Sequence, residues 1–321
     1  MPSDSEPPRA VGAAPSLSRR VVVLGVPLGI LGLAPGVAAS AGLSAGTSAA
    51  VGDRMQLIGA AAADSWTQAG ALAAGLRVPT ASSRDLEQAV VRSMGGRSSV
   101  IGVSVLDRHT GARWDYRGTA LMRTGSVVKV LIVAEALRQA RAQGSALATS
   151  PREQARLAIT RSDNASANAL YSRIGGHAAV ARLAGRLGMG ATAAATPAAH
   201  WGHTLTSAND LVTMMAAIAG NTTAVDEGDR EYLLGLMGKV MSGQRWGVGT
   251  VRSSSVAVRL KNGWMAVDRP WVINSVGDVR GKGRNYVLAI MQRAQPTESS
   301  GITRASRVGR AVFSELDDPL T

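Results

Sequence analysis

The chain has 321 residues, 45% of them hydrophobic and 3% aromatic, with no cysteine and a formal net charge of +13. That is enough apolar material for one sizeable core or at most two domains. The missing cysteine excludes disulfides, thiolate catalysis and Cys-ligated metals. The positive charge is almost all arginine, since only Lys129, Lys239, Lys261 and Lys282 are lysines. The arginines are spread along the chain, and the scarce aromatics offer no base-stacking surface. Nucleic acid is therefore not an expected partner, and the charge reads as a soluble basic surface that could rest against an anionic envelope.

The N-terminus reads as an address. Ser18-Arg19-Arg20 precedes an apolar run from Val21 to Val37, and small residues follow at Ala38-Ala39-Ser40-Ala41. A basic stretch, a short apolar stretch and small residues form an export signal over residues 1–41. The arginine pair points to the twin-arginine route, and hence to a periplasmic, envelope-associated or secreted product. The run holds Gly25, Pro27, Gly29, Gly32, Pro35 and Gly36, too broken and too short for a permanent span. With no cysteine, a lipoprotein anchor is not expected. Residues 42–83 form an Ala/Gly-rich linker, and residues 84–321 the folded domain.

Within that domain the elements follow in order. Asp85 to Arg92 has helical spacing and ends at Gly95-Gly96. Val100 to Asp107 is a strand, Thr110-Gly111 a turn, and Arg113 to Arg117 the returning strand of a hairpin. The stretch from Ser126 to Gly243 is largely helical. One helix follows Ser126, another starts near Pro151, and a third follows the capping-box-like Ser207-Ala-Asn-Asp210. Val256–Lys261, Trp271–Val276 and Tyr286–Met291 are three further strands, and a helix from Ile302 to Leu316 closes the chain. The expected architecture is α/β, an α+β sandwich. Strands from both chain ends form one antiparallel sheet, helices cover it, and an all-helical subdomain is inserted.

Three short motifs carry chemistry. Thr124-Gly125-Ser126-Val127-Val128-Lys129 opens a helix that is apolar on nearly every side, and hence buried. Positions i and i+3 face the same way, so the Lys129 amine can reach the Ser126 hydroxyl. A buried lysine has its charged form disfavoured and acts as a base near neutral pH, which makes the serine a nucleophile. The helix N-terminus suits a developing oxyanion. Ser162-Asp163-Asn164 opens a later helix, and by itself is a capping sequence. Lys261-Asn262-Gly263-Trp264 stands at the end of the first of the late strands. There a lysine would attract a carboxylate, and a glycine would let a substrate backbone lie along the edge. Asn-Gly is equally a hairpin signal. Two of the four lysines fall in these motifs.

In that order, on helix, helix and strand, the set resembles the class A β-lactamases and their penicillin-binding relatives over about residues 84–316. Trp271-Val-Ile-Asn-Ser-Val-Gly277, the Asn285–Gln292 strand and Gln244-Arg245-Trp246-Gly247 add to the likeness. The resemblance implies Ser126 as nucleophile, Lys129 as general base and Ser162 as proton relay. It implies Asn164, Lys261, Asn262, Gly263 and Trp264 as substrate-binding, with the amides of Ser126 and Trp264 stabilising the oxyanion. The implied substrate is a β-lactam or a peptidoglycan-type peptide, taken by a monomer without metal or organic cofactor.

The chain departs from the family in three places. The loop from Leu187 to Thr206, where the family's β-lactamases carry a deacylating glutamate, holds no carboxylate. His200 or His203 could stand in, or both are ordinary loop histidines. The interval from Ser126 to Ser162 is short, which implies a trimmed helical subdomain. Asn262 stands where a hydroxyl is usual. A D-alanyl-D-alanine carboxypeptidase, an esterase or a penicillin-binding protein with slow deacylation therefore remains open beside a β-lactamase. So does a non-catalytic envelope-binding module on the same fold.

Overall fold

The computed structural model describes residues 82–96, 101–193, 200–220, 222–266, 270–317 and 319–320, all within one compact unit spanning residues 68–321. The expected export signal and nearly all of the linker lie outside the described residues.

A first helix, α1 (Ser83–Ser93), is capped by Ser82, whose hydroxyl accepts from the Asp85 amide. Strands β1 (Ile101–Asp107) and β2 (Arg113–Tyr116) form the expected hairpin. A two-residue strand β3 (Met122–Arg123) leads into a tight 3-10 turn over Gly125–Val128 and then α2 (Lys129–Ala142). Helices α3 (Thr149–Thr160), α4 (Asn164–Ile174) and α5 (Gly176–Arg186) follow. Beyond them lie β4 (Leu205–Thr206), α6 (Ala208–Ala219) and α7 (Glu227–Met237). Long strands β5 (Ala257–Ala266), β6 (Trp271–Gly281) and β7 (Arg284–Gln295) precede the last helix, α8 (Glu298–Glu315).

The main sheet has the order β2-β1-β7-β6-β5, antiparallel throughout. Both ends of the domain therefore meet at the β1–β7 pairing, and β5 is an edge strand. Alternation along β7 divides the core in two. Val287, Ala289 and Met291 join the cluster built by α2 to α7, while Tyr286, Leu288 and Ile290 join the cluster with α1 and α8. Small residues of α8 allow close approach. A Cβ on Gly309 would strike the Gly247 backbone, and one on Gly301 the Ile273 side chain.

Two differences from the sequence reading have physical reasons. Strand β5 does not stop at Lys261: it runs through Asn262-Gly263 to Ala266, in unbroken register with β6 (Asn262 opposite Ser275, Gly263 opposite Asn274). Asn-Gly is a turn signal only where both residues take positive φ, and here the ladder holds them extended. The last helix begins a turn earlier than expected. Thr297 and Ser300 bond reciprocally in a capping box, so the start lies at Glu298 and not at the first apolar residue.

Arginines close one end of the helical layer. Arg108 and Arg280 each donate to the Ala219 carbonyl at the C-terminus of α6, and both bond Asp278, which is 1% exposed. Cations at a helix C-terminus meet its negative dipole end, so these groups fasten α6 to β6.

Candidate active site

The three motifs meet at the inner face of β5. Strand alternation points Lys261 and Gly263 one way and Asn262 the other. Gly263 lies against the 3-10 turn that carries Ser126. A Cβ there would come within 2.8 Å of the Val127 nitrogen and 2.9 Å of the Ser126 nitrogen. Gly125, at φ +52°, faces the same contact from the other side, where a Cβ would sit 3.0 Å from the Trp264 nitrogen. The close approach at Gly263 is thus made with the Ser126 turn, where the sequence reading expected a substrate backbone. Asn274 holds that turn from below: its amide, 0% exposed, donates to the carbonyls of Arg123 and Thr124 at 2.8 and 3.0 Å.

Ser126 and Lys129 are one 3-10 turn apart. At three residues per turn, i and i+3 eclipse, which puts both side chains on the same side. The Lys129 amine, fully buried, does not bond the Ser126 hydroxyl. It donates to the Ser162 carbonyl at 2.5 Å, to Asn164 Oδ1 at 2.8 Å and to Ser162 Oγ at 3.3 Å. An ammonium has three donors, and the α3–α4 junction offers these acceptors together. Burial lowers the Lys129 pKa to about 7, partly offset by the negative charge of Asp163.

Ser162 sits at that junction with φ +60°, one of the few non-glycine residues in the left-handed region. Asp163 caps α4 through the Ser166 amide at 2.7 Å, and Asn164 is the first residue of the helix. Ser162 Oγ also accepts from Lys261 Nζ at 3.0 Å. Lys261 is wholly buried, and burial together with the nearby Lys129 charge pulls its pKa well below that of an ordinary lysine. One hydroxyl therefore bridges two lysine amines.

Asn262 sits apart from this cluster. Its side chain, 0% exposed, donates to the carbonyls of Gln244 at 2.8 Å and Trp246 at 3.1 Å. The expectation that it binds substrate gives way to another role: it ties β5 to the segment before it. The alternation that aims Lys261 into the site turns Asn262 out of it.

The cleft above Ser126 has a volume of about 390 Å³ and is walled by Asn164, Asn168, Trp201, Trp264, His200 and His203, among others. Among the described residues no Asp or Glu lines it. The histidine rings lie 5.4 Å apart, centre to centre. The loop bearing them is fixed at its base. Asp210 accepts from the Ala191 amide and the Thr192 hydroxyl at 2.9 and 2.6 Å. Only half of the expected capping box forms, because Ser207 bonds the Asp210 amide while the Asp210 carboxylate turns to the loop. Two residues here escaped the sequence reading. Trp201 Nε1 donates to Asn168 Oδ1 at 2.7 Å, and the Trp201 ring centre lies 4.8 Å from Lys129 Nζ. Asn168 follows Asn164 by four positions on one helix face, a signal that could have found it. The loop around Trp201 has no such periodicity.

The sequence profile of the Beta-lactamase enzyme family matches residues 84–150 and 143–316. Protein LppW of Mycobacterium tuberculosis (strain ATCC 25618 / H37Rv), whose name proposes it as a lipoprotein, is 30% identical over 223 residues, covering 65% of this chain and 69% of LppW. The fold matches solved structures at low identity. A class A beta-lactamase from Bacteroides cellulosilyticus DSM 14838 gives a TM-score of 0.65 at 16% identity, over 74% of this chain and 99% of that one. PBP-A gives 0.64 at 20% identity, over 75% and 99%.

Proposed function

The chain belongs to the Beta-lactamase enzyme family, and from that premise we propose that it is an exported serine hydrolase that is acylated at Ser126 and deacylates slowly. The observation that carries this reading is the Ser162 hydroxyl bridging two buried lysine amines beside the Ser126 turn. A structural lysine pair has no use for such an arrangement, since burying two like charges is costly unless one is neutral.

In the proposed reaction neutral Lys129 takes the Ser126 proton as Oγ attacks the carbonyl carbon of a β-lactam or a related amide or ester. Hydrogen bonds at the reacting pair tighten on substrate binding, so the partners Lys129 holds in the free site are compatible with this role. The amides of Ser126 and Trp264 receive the oxyanion. The carbon–nitrogen bond of the amide, or the carbon–oxygen bond of an ester, then breaks. Ser162 gives its proton to the leaving nitrogen or oxygen and recovers one from the Lys129 ammonium. Lys261 supplies the positive field for a substrate carboxylate, and Asn164 orients the Lys129 amine. The product of this half-reaction is an ester on Ser126.

The loop from Leu187 to Thr206 holds no carboxylate and none lines the cleft among the described residues, which favours the penicillin-binding reading over an efficient β-lactamase. Export rests on the Arg19-Arg20 signal. LppW is proposed by its name as a lipoprotein, but the present sequence holds no cysteine for a lipid.

The test is the intact mass of the protein over time after a penicillin is added, with Ser126→Ala beside it. A lasting adduct on the wild type alone supports the proposal. A transient adduct with steady drug loss would mean β-lactamase turnover, and no adduct with no drug loss would sink the assignment.

A further inference from the structure

Among the described residues the hydrogen-bond partners of Lys129 Nζ all come from the α3–α4 junction: Ser162 and Asn164. The amine also lies over the Trp201 ring, 4.8 Å from its centre. Trp201 is not loosely placed there. Its indole N–H is held by Asn168. Its turn, Trp201–His203, is closed by bonds from the His203 amide to the His200 carbonyl and from the Thr204 amide to the Trp201 carbonyl. That turn is sewn to the nucleophile turn. The Thr124 amide donates to the Thr204 carbonyl at 2.9 Å, and β3 pairs with β4 through Met122–Thr206 and Arg123–Leu205. The contact between Gly202 and Gly125 is close enough that a Cβ on Gly202 would lie 3.7 Å from the Gly125 Cα. The backbone that carries the indole is therefore fixed to the Ser126 turn, and Asn168 holds the ring on it.

We infer that Trp201 is a positioning residue for the base, a wall that keeps water and carboxylates off the Lys129 amine, so that Lys129 takes the Ser126 proton unaided. The inference rests on the Ser126–Lys129 reading above.

The charged groups around Nζ fit this role. Asp163, on the α4 side, is the negative neighbour that raises the lysine's pKa, and its carboxylate is engaged by the Ser166 amide. Lys261, from β5, opposes a second positive charge. His200 and His203 line the cleft on the loop side. An aromatic face attracts a cation, which favours the charged amine, whereas exclusion of water disfavours it. The Lys129 pKa is lowered, with burial as its largest cause.

With four lysines in the chain, the amines can be read singly by NMR on full-length protein carrying 13C at lysine Cε, the Lys129 signal being assigned by its loss in Lys129→Arg. The wild-type signal titrates near pH 7. In Trp201→Ala the midpoint rises by roughly one pH unit or more, because water enters. In Trp201→Leu it stays or falls, because the apolar wall remains while the aromatic face is lost. Asn168→Ala, which frees the indole and guards against a misfolded Trp201→Ala, raises it by less. An unchanged Lys129 midpoint in folded Trp201→Ala and Asn168→Ala overturns the inference, even where penicillin still forms an adduct. If the midpoint rises as stated but the wild type forms no adduct, the acylation reading falls and the wall stands.

Discussion

Lys261 Nζ donates to the hydroxyl oxygen of Ser162 across 3.0 Å, and Ser162 accepts that bond from a backbone turned to φ +60°. A serine at positive φ costs about 1 kcal/mol or more, and such strain persists only where the surroundings fix it. Here the helix cap at Asp163 and the two lysine amines do so. Ser162→Gly relieves the strain and loses the hydroxyl, whereas Ser162→Ala keeps the strain and loses the hydroxyl. Both variants should slow Ser126 acylation about a hundredfold or more, as loss of a proton relay does. Denaturant unfolding should find the glycine variant the more stable by about 1 kcal/mol. Equal acylation rates in wild type and both variants would remove Ser162 from the reaction.

The pH profile should report the base. The free-site Lys129 pKa is about 7, so the neutral amine is lost as pH falls through that value. The second-order acylation rate should therefore rise with pH up to a plateau, half-maximal near 7, and fall about tenfold per pH unit well below it. Asp163 raises this value by its charge. Asp163→Asn keeps a good helix cap and removes the charge, so it should move the midpoint downward. A profile that ignores both changes would show that Lys129 is not the base.

Gly263→Ala should be severe despite its small size. The added methyl would meet the backbone nitrogens of Val127 and Ser126 at 2.8–2.9 Å, and backbone cannot swing aside as a side chain does. Overpacking of this kind costs about 1–3 kcal/mol. It would also push the Ser126 turn away from the Trp264 amide. Thermal unfolding should fall and acylation should fall further than stability alone explains. A variant as stable and as reactive as wild type would mean that the turn is not seated against β5.

Asn262→Ser restores a hydroxyl where the family usually has one. The sequence alone suggests that this would improve recognition of a substrate carboxylate. The structure reverses that expectation, because the Asn262 amide serves the Gln244 and Trp246 carbonyls. Leaving buried carbonyls unpaired costs about 1–3 kcal/mol, and chemical denaturation should show a loss of that size. Penicillin acylation should not become faster. Faster acylation at unchanged stability would return Asn262 to the substrate-binding set.

Several helices and the strands of the main sheet were legible because their signals are local: the apolar positions of α2, the Ser207 cap of α6, the β-branched run in β1. The convergence of Ser126, Lys129, Ser162 and Lys261 was legible only through the resemblance, since nothing local in the chain brings residue 126 near residue 261. The extent of β5 was not legible. Asn262-Gly263 carries a turn signal that ten paired residues of ladder overrule. Trp201 was not legible either. It lies in an Ala/Thr-rich loop without periodicity, and its meaning comes from Asn168 and Lys129, on two other elements.

The pairing of β1 with β7 sets Ile101 opposite Gln292. Closing so long a span of chain is entropically costly and makes such contacts form slowly. Ser126 and Lys129 belong to the early part of the chain, but Lys261 and the edge that seats the nucleophile turn belong to the late part. A chain halted during synthesis before β5 would hold the serine and its base without the strand that aligns them. On the proposed reading, reactivity toward an acyl donor is thus acquired only once β5 has been made, so a nascent chain that lacks this strand is chemically quiet.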